Sequence, residues 1–298
     1  MKEKTKKKFH FPWAKVAIVS IFVLLFVYSL SLLLPFFWMI WSSFKDVVDF
    51  YLNAFGLPDK WFFTNYLEAF NMLNVKVMTA KGYMRYGIVN MLGYSFTIST
   101  GTSFFGVLWP MVTAYIVSKY DFKGKHLLYA INLFVMTIPI VGTLPATMKF
   151  NKLIGRYNNL FMYILFSGSP FGFTFILFYG AFKSIPKSYS EAAFMDGAGH
   201  FTVMLKIMFP MMIPTFVANF VLAFIANWND YMTIVTWLPS YPNLAFGMYM
   251  FQAEAARYGI GMPHILAGFV IVSIPTAVLW IFSQRLITSK MMVGGLKE

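Results

Sequence analysis

An all-α integral membrane protein of six transmembrane helices, with both termini in the cytoplasm, is the fold class this sequence predicts. Three observations predict it. The 298 residues are 59% hydrophobic and only 12% charged, about half the roughly 25% of charged residues in a soluble domain. Six apolar runs, at about 16–41, 90–117, 127–148, 160–182, 207–236 and 264–284, each reach the roughly 20 residues a helix needs to cross a bilayer. They lack strand-like alternation, which selects helices over the closed barrel, the other way to satisfy a backbone in lipid. Lysine and arginine are also unevenly placed. Of the 24, 15 fall in the N-terminal tail, the turn 118–126, the loop 183–206 and the C-terminal end, which marks these as cytoplasmic.

The chain begins with a strongly basic stretch, 1–8, followed by Pro12 and Trp13. The apolar run behind it exceeds the roughly 7–15 residues of a secretory signal, and no small-residue cleavage site follows. It reads as an uncleaved first span. The outer segment 43–86 holds five of the remaining nine basic residues. Within it, YLNAFGLPDKWFFTNYLEAF reads as a short amphipathic piece on the outer membrane surface. The last outer segment, about 237–263, contains Pro239, Pro242 and Pro263 and reads as a loop with a short helix around 244–257. The net charge of +13 does not point to nucleic acid, because no basic helix with interleaved aromatics lies outside the apolar runs. With no cysteine, disulfides, thiol redox chemistry and cysteine metal sites are excluded.

Residues that carry chemistry are sparse. His10, His126, His200 and His264 are scattered without metal-ligand spacing, so no metal site is expected. There is no P-loop, no Gly-x-Ser-x-Gly and no pair of nearby carboxylates suited to acid/base work, so neither a catalytic residue nor a nucleotide site is expected. Apart from His264 at the edge of the last span, Asp230 is the one ionisable residue within the six runs. An ion-coupled carrier would normally bury more charge than this. The fifth run also carries Asn219, Asn227, Trp228 and Asn229. At 1.5 Å per residue, Asn219 lies about 18 Å and Asp230 about 35 Å beyond Ile207. Amides, a carboxylate and an indole suit the hydroxyls and faces of a sugar; the same groups also bond helix to helix in lipid. The helix period sets Thr215, Asn219, Leu222 and Ala226 on one face, against Phe216, Phe220 and Phe224 on another.

The stretch 188–210, SYSEAAFMDGAGHFTVMLKIMFP, lies between two spans on the cytoplasmic side. Ser188 and Glu191 have the spacing of a capping box, and Gly197 and Gly199 follow where a short helix would end. Glu191-Ala192-Ala193, three residues, Gly197, nine residues, Ile207, one residue, Phe209-Pro210 resembles the EAA loop of ABC-importer permeases, E-A-A-x3-G-x9-I-x-L-P. Phe209 for leucine is the single departure over 20 residues, and Asp196-Gly197-Ala198 fits the D-G-A variant. Residues 90–295 resemble the permease core of carbohydrate ABC importers. FIANWNDY (224–231) is similar to the W-N-[ED]-[FY] signature of the G-type permeases of maltose transporters.

This resemblance implies the type I ABC importer permease fold and divides the chain into four parts. They are a basic cytoplasmic tail (1–15), a first transmembrane helix with outer segment (16–86), a permease core of five helices with the coupling loop 183–206 (87–286), and a cytoplasmic tail (287–298). It implies a non-enzymatic subunit, in a bacterial or archaeal cell membrane, that imports a carbohydrate, an oligosaccharide, by alternating access. The implied partners are a second, F-type permease, two ABC ATPases that bind ATP and magnesium, and an extracytoplasmic solute-binding protein. Ser188, Glu191, Ala192, Ala193, Asp196 and Gly197 would dock the ATPase, and Asn219, Asn227, Trp228, Asn229 and Asp230 would line the substrate path. By resemblance alone, the W-N-D-Y stretch, 228–231, would instead be structural at the permease–permease contact. Two alternatives stay open: a self-contained ion-coupled carrier or channel, and a permease for another polar solute such as glycerol phosphate.

Overall fold

The computed structural model describes residues 13–79, 82–138 and 142–291. The basic stretch 1–12 and the tail 292–298 lie outside the described residues. Among the described residues, four helices are long and apolar enough to cross a membrane. They are α1 (Trp13–Ser42), α4 (Ile88–Lys119), the His200–Trp228 helix and α14 (Met262–Met291). Between them lie the short helices α2 (Val47–Leu52) and α3 (Thr64–Met72), and a two-stranded antiparallel hairpin, β1 (Asn74–Thr79) and β2 (Gly82–Gly87).

The third and fourth apolar runs correct the expectation of six uninterrupted helices. The third forms α5 (Lys125–Thr137) and α6 (Leu144–Leu153), the fourth α7 (Leu160–Leu165) and α8 (Phe173–Ser184). Ile138 is extended (φ −87°, ψ 120°), as a residue before proline must be, because the Pro139 ring crowds the helical conformation. In the fourth run, Gly172 at φ +120° breaks the chain just before α8. The hairpin corrects the all-α expectation: residues 74–79 alternate buried and exposed side chains, the period of a strand rather than a helix.

The fifth run starts earlier and ends earlier than 207–236. It opens with α10 (His200–Val203), passes through one π-turn (Met204–Met208) and continues as α11 (Phe209–Trp228). Pro210 cannot donate to the carbonyl of Lys206 and its ring clashes with it in a regular turn; the extra residue of the π-turn absorbs that conflict. After α11 the chain turns into the short helices α12 (Met232–Trp237) and α13 (Leu244–Tyr258), the latter close to the expected 244–257.

Among the described residues, 13–69 with Ile260–Val270 form one compact unit, and Phe70–Gly259 with 271–291 another. In the first unit, the α1–α2 corner is held by polar bonds. Asn65 donates to the carbonyls of Ser43 (2.9 Å) and Lys45 (2.8 Å), and the buried Lys45 ammonium donates to the carbonyl of Asn53. His264 Nε2 lies 3.0 Å from Glu68 Oε2.

In the second unit, α4 is central and packs against both α11 and α8. Its buried residues include Met91, Ile98, Met111 and Tyr115, and between them Ser95, Ser99, Thr102, Ser103 and Ala114, small residues that let helices approach closely where lipid gives no hydrophobic drive. At Gly168, between α7 and α8, the chain comes up against the backbone of α4. A β-carbon there would stand 2.6 Å from the Phe105 carbonyl oxygen and 2.8 Å from Gly106 Cα. Neither atom can swing aside. Gly168→Ala is therefore expected to force the α7–α8 link off α4 at a cost of about 1–3 kcal/mol. The check is the melting temperature of the purified protein; an unchanged value would contradict this close approach.

Candidate functional site

A cavity of about 200 Å³ opens between α4, α7, α8 and α11. α4 contributes Thr102, Gly106 and Val107; α7 and the link after it Tyr163 and Ser167; and α8 Thr174. α11 contributes Asn219, Ala223 and Asn227, four residues apart, so one stripe of the helix faces the cavity. Asp230 and Thr233 close it beyond the end of α11. The polar face of the fifth span is thus Asn219–Ala223–Asn227 rather than the expected set with Leu222 and Ala226. Leu222 is exposed, while Phe224 is buried against Trp228, Val75 and Met91.

Hydrogen bonds fix several of these groups. Asn219 Nδ2 donates to its own helix, at the Thr215 carbonyl (2.8 Å). Asn227 Nδ2 donates to Ser103 Oγ across to α4 (2.9 Å), and Ser167 Oγ donates to the Thr102 carbonyl (3.1 Å). Asp230 is the one charged residue among those lining the cavity. Its carboxylate accepts from Thr233 N (3.1 Å) and Thr233 Oγ1 (2.6 Å), bracing the entry to α12. What remains available is hydroxyl, amide carbonyl and carboxylate acceptor capacity, the complement of a polyhydroxyl solute.

Of the five residues expected along a path, Asn219, Asn227 and Asp230 are brought together here. Trp228 and Asn229 are not. Trp228 is 2% exposed and packs on Phe224. Asn229 is exposed and bonds back to the Ile225 carbonyl (2.9 Å). Sequence reasoning missed Thr102, Ser167, Thr174 and Tyr163. Hydroxyls are frequent in these runs, as in Ser99-Thr100-Gly101-Thr102-Ser103, and only the packing of α4, α7 and α8 selects the ones that line the cavity.

Two groups of loops are tied together at opposite ends of this bundle. Beyond Asp230, Asn158 Nδ2 donates to Ser240 Oγ (3.0 Å), Ser240 N donates to Asn158 Oδ1 (3.1 Å), and Ser240 Oγ donates to the Met78 carbonyl (2.8 Å). This joins the hairpin, the 154–159 loop and the 238–243 loop. Arg156 belongs to the same group. Its partly buried guanidinium sits 4.8 Å over the Tyr163 ring, and burial pulls it below its usual pKa, with Tyr163 acting the other way. At the other end, Lys119 Nζ donates to the Ile185 carbonyl (2.7 Å) and Tyr120 Oη lies 3.2 Å from His200 Nδ1. Asp121 pairs with Lys125 and lies 3.8 Å from Lys187; the Lys125 ammonium beside it holds its carboxyl below the usual carboxylate range. The turn 120–124 thus meets the loop that contains α9 (Ser188–Met195).

α9 is short and almost wholly exposed, with Ala193 as its buried contact. The expected capping box does not form. Lys187 is already helical (φ −63°, ψ −25°) and no side chain caps the start. The turn begins at Pro186, preorganised for a first helical position, so Ser188 falls inside the helix. At the other end, Gly197 N donates to the Phe194 carbonyl (3.0 Å) and Ala198 N to the Ala193 carbonyl (2.9 Å), with Gly197 at φ +79°. This is a Schellman ending, which needs a left-handed residue. Ser188, Glu191, Ala192, Asp196 and Gly197 are all exposed. Beside them lie Tyr189 (51% exposed), Met195 (88%) and Phe201 (70%). These large apolar side chains went unremarked in the sequence, where apolar residues are the rule.

Comparison with known proteins bears on both regions. Residues 106–293 match the family model described as binding-protein-dependent transport system inner membrane component. The diacetylchitobiose uptake system permease protein NgcG of Streptomyces coelicolor is 27% identical, over 91% of this chain and 86% of its own length. AmyC of Thermoanaerobacterium thermosulfurigenes, a probable starch degradation products transport system permease protein, is 27% identical over 91% and 94%. MalG of Thermococcus litoralis, a trehalose/maltose transport system permease protein, is 26% identical over 89% and 91%. A chain of the bacterial ABC transporter that imports the acidic polysaccharide alginate superposes with a TM-score of 0.73, at 20% identity, over 94% of this chain and 99% of its own.

Proposed function

The chain belongs to the binding-protein-dependent transport system inner membrane component family, and from that premise we propose that it forms half of the path by which an ABC importer takes up an oligosaccharide. It is a multi-pass transport subunit of the cell membrane, not an enzyme. ATP and magnesium would be bound by two partner ATPases, and a second, F-type permease would complete the path. An extracytoplasmic binding protein would deliver the solute. The transport names of NgcG, AmyC and MalG support the substrate class.

The observation that carries the mechanism is the arrangement along α10–α11. One continuous stretch of helix joins the exposed α9 loop at one end to the hydroxyl- and amide-lined cavity further along. Ser188, Glu191, Ala192, Ala193, Asp196 and Gly197 would form the ATPase dock, with Tyr189, Met195 and Phe201 as its apolar anchors. Closure of the ATPase dimer would move α9 and so the stripe of Asn219 and Asn227. The ATPase arrangement biases the transporter only by fitting one state better than the other. The four-part division at 15, 86 and 286 follows from the same reading.

The broken helices α5–α6 and α7–α8 would each cross the membrane as one span, giving six crossings with both termini cytoplasmic. The two tied groups of loops support this: segments assigned to the same side by the lysine count bond to one another. Single cysteines test it, against a chain with none of its own. Cysteines at Lys123 and His200 are expected to react with a membrane-impermeant maleimide only after the membrane is opened. Those at Lys60 and Arg257 are expected to react in intact cells. Labelling of position 60 only after opening would overturn the orientation.

A further inference from the structure

We propose that the outer face of the β1–β2 hairpin is a docking surface for an acidic patch on the solute-binding protein. The proposal rests on the topology above, which puts residues 43–86 outside. Val75 and Val77 are buried against Met91, Phe224 and Trp228, so the strand pleat turns Lys76 and Met78 to the opposite face. The register sets Lys76 directly across from Arg85, and Met78 across from Tyr83. Like charges directly opposite on one face destabilise a strand pair.

Nothing nearby in the chain offsets them. Residues 69–120 contain no aspartate or glutamate. Arg85 Nε donates to Asn74 Oδ1 (2.6 Å), and among the described residues neither cation is in an ion pair. Beside the charges, Tyr83 is 79% and Met78 66% exposed. Arginine, tyrosine and methionine are the residues enriched in protein–protein interfaces. Ser240 Oγ, on a neighbouring loop, donates to the Met78 carbonyl (2.8 Å), and within the hairpin Thr79 Oγ1 donates to the Gly82 carbonyl (2.9 Å). A basic face without acidic partners, flanked by aromatic and thioether side chains, fits a protein partner that brings the carboxylates. A transport system that depends on a binding protein has such a partner arriving from this side.

The test uses the assembled transporter in proteoliposomes and its purified solute-binding protein, with ATP hydrolysis as the readout. In Lys76→Glu/Arg85→Glu, the binding-protein concentration for half-maximal stimulation is expected to rise roughly tenfold or more, because opposed patches steer association. Added salt should weaken the wild type and affect the variant much less. Basal hydrolysis and subunit stoichiometry should match wild type, and Lys76→Arg should behave as wild type. An unchanged half-stimulating concentration overturns the proposal. So does loss of a subunit, which would make this a permease–permease contact, or an effect confined to vesicles containing phosphatidylglycerol, which would make it a lipid contact. If the wild type is not stimulated by the binding protein at all, the importer reading fails and the docking surface with it.

Discussion

Gly197→Val is expected to abolish coupled transport while the protein still inserts and assembles. Gly197 ends α9 at φ +79°, and a left-handed backbone costs a residue with a β-carbon about 1–2 kcal/mol, more for one branched there. No neighbour stands within 4 Å of a β-carbon built at this position, so the effect is conformational and local to the loop. To escape the strain the chain must abandon the Schellman bonds from Gly197 and Ala198. That rotates α9 relative to α10, the two pieces that would carry ATPase movement to the cavity. One or two kcal/mol is a factor of about 5–30 in an equilibrium. Substrate-stimulated ATP hydrolysis and uptake should fall together by at least that range. Glu191→Ala should act in the same direction but more mildly, since it removes one exposed carboxylate and leaves the turn intact. Normal uptake in the Gly197→Val complex would remove the loop from the coupling route.

Filling the cavity should be as severe. Gly106 lines it from α4, and a β-carbon there meets nothing within 4 Å. Gly106→Leu therefore sends its side chain into the open space, and leucine is a better helix former than glycine by roughly 0.8 kcal/mol. The helix should keep its place while the roughly 200 Å³ cavity loses much of its room. Uptake is expected to drop tenfold or more, the effect of about 1.4 kcal/mol on one barrier, with an unchanged amount of assembled complex. Asn219→Ala separates a path from a packing role. In a path it shifts transport affinity or sugar preference with stability intact; in packing it lowers the melting temperature and leaves affinity alone. Wild-type uptake by Gly106→Leu would place the path elsewhere.

Much of this architecture was legible in the chain because lipid imposes one strong rule, a length of apolar residues per crossing. That rule located α1, α4, α11 and α14, but says nothing of breaks inside a run. Pro139, Pro170 and Gly172 were visible and were outweighed by the hydrophobicity around them. The hairpin had a readable signal as well, Val-Lys-Val-Met-Thr followed by Ala-Lys-Gly, masked by the aromatic segment before it. In the loop 183–206, Gly197 was legible because a left-handed helix ending leaves little choice of residue. The capping box was not realised because Pro186 starts the helix two residues early. In the cavity, a mid-span amide stands out in an apolar helix, so Asn219 and Asn227 could be found. Thr102, Ser167 and Thr174 could not, since hydroxyls are common in these spans and which of them meet depends on how α4, α7 and α8 pack. Trp228 and Asn229 sit between the two turns that face the cavity, and one residue of helix is a rotation of about 100°.

The most direct measurement is uptake of a radiolabelled oligosaccharide into proteoliposomes that hold this chain with its partner permease and ATPases. ATP is trapped inside and the binding protein supplied outside, with each omitted in turn. Accumulation that requires both, and disappears in the Gly197→Val complex, is the predicted result. Accumulation by this chain without ATP and without partner subunits would contradict it and make the protein a self-contained carrier.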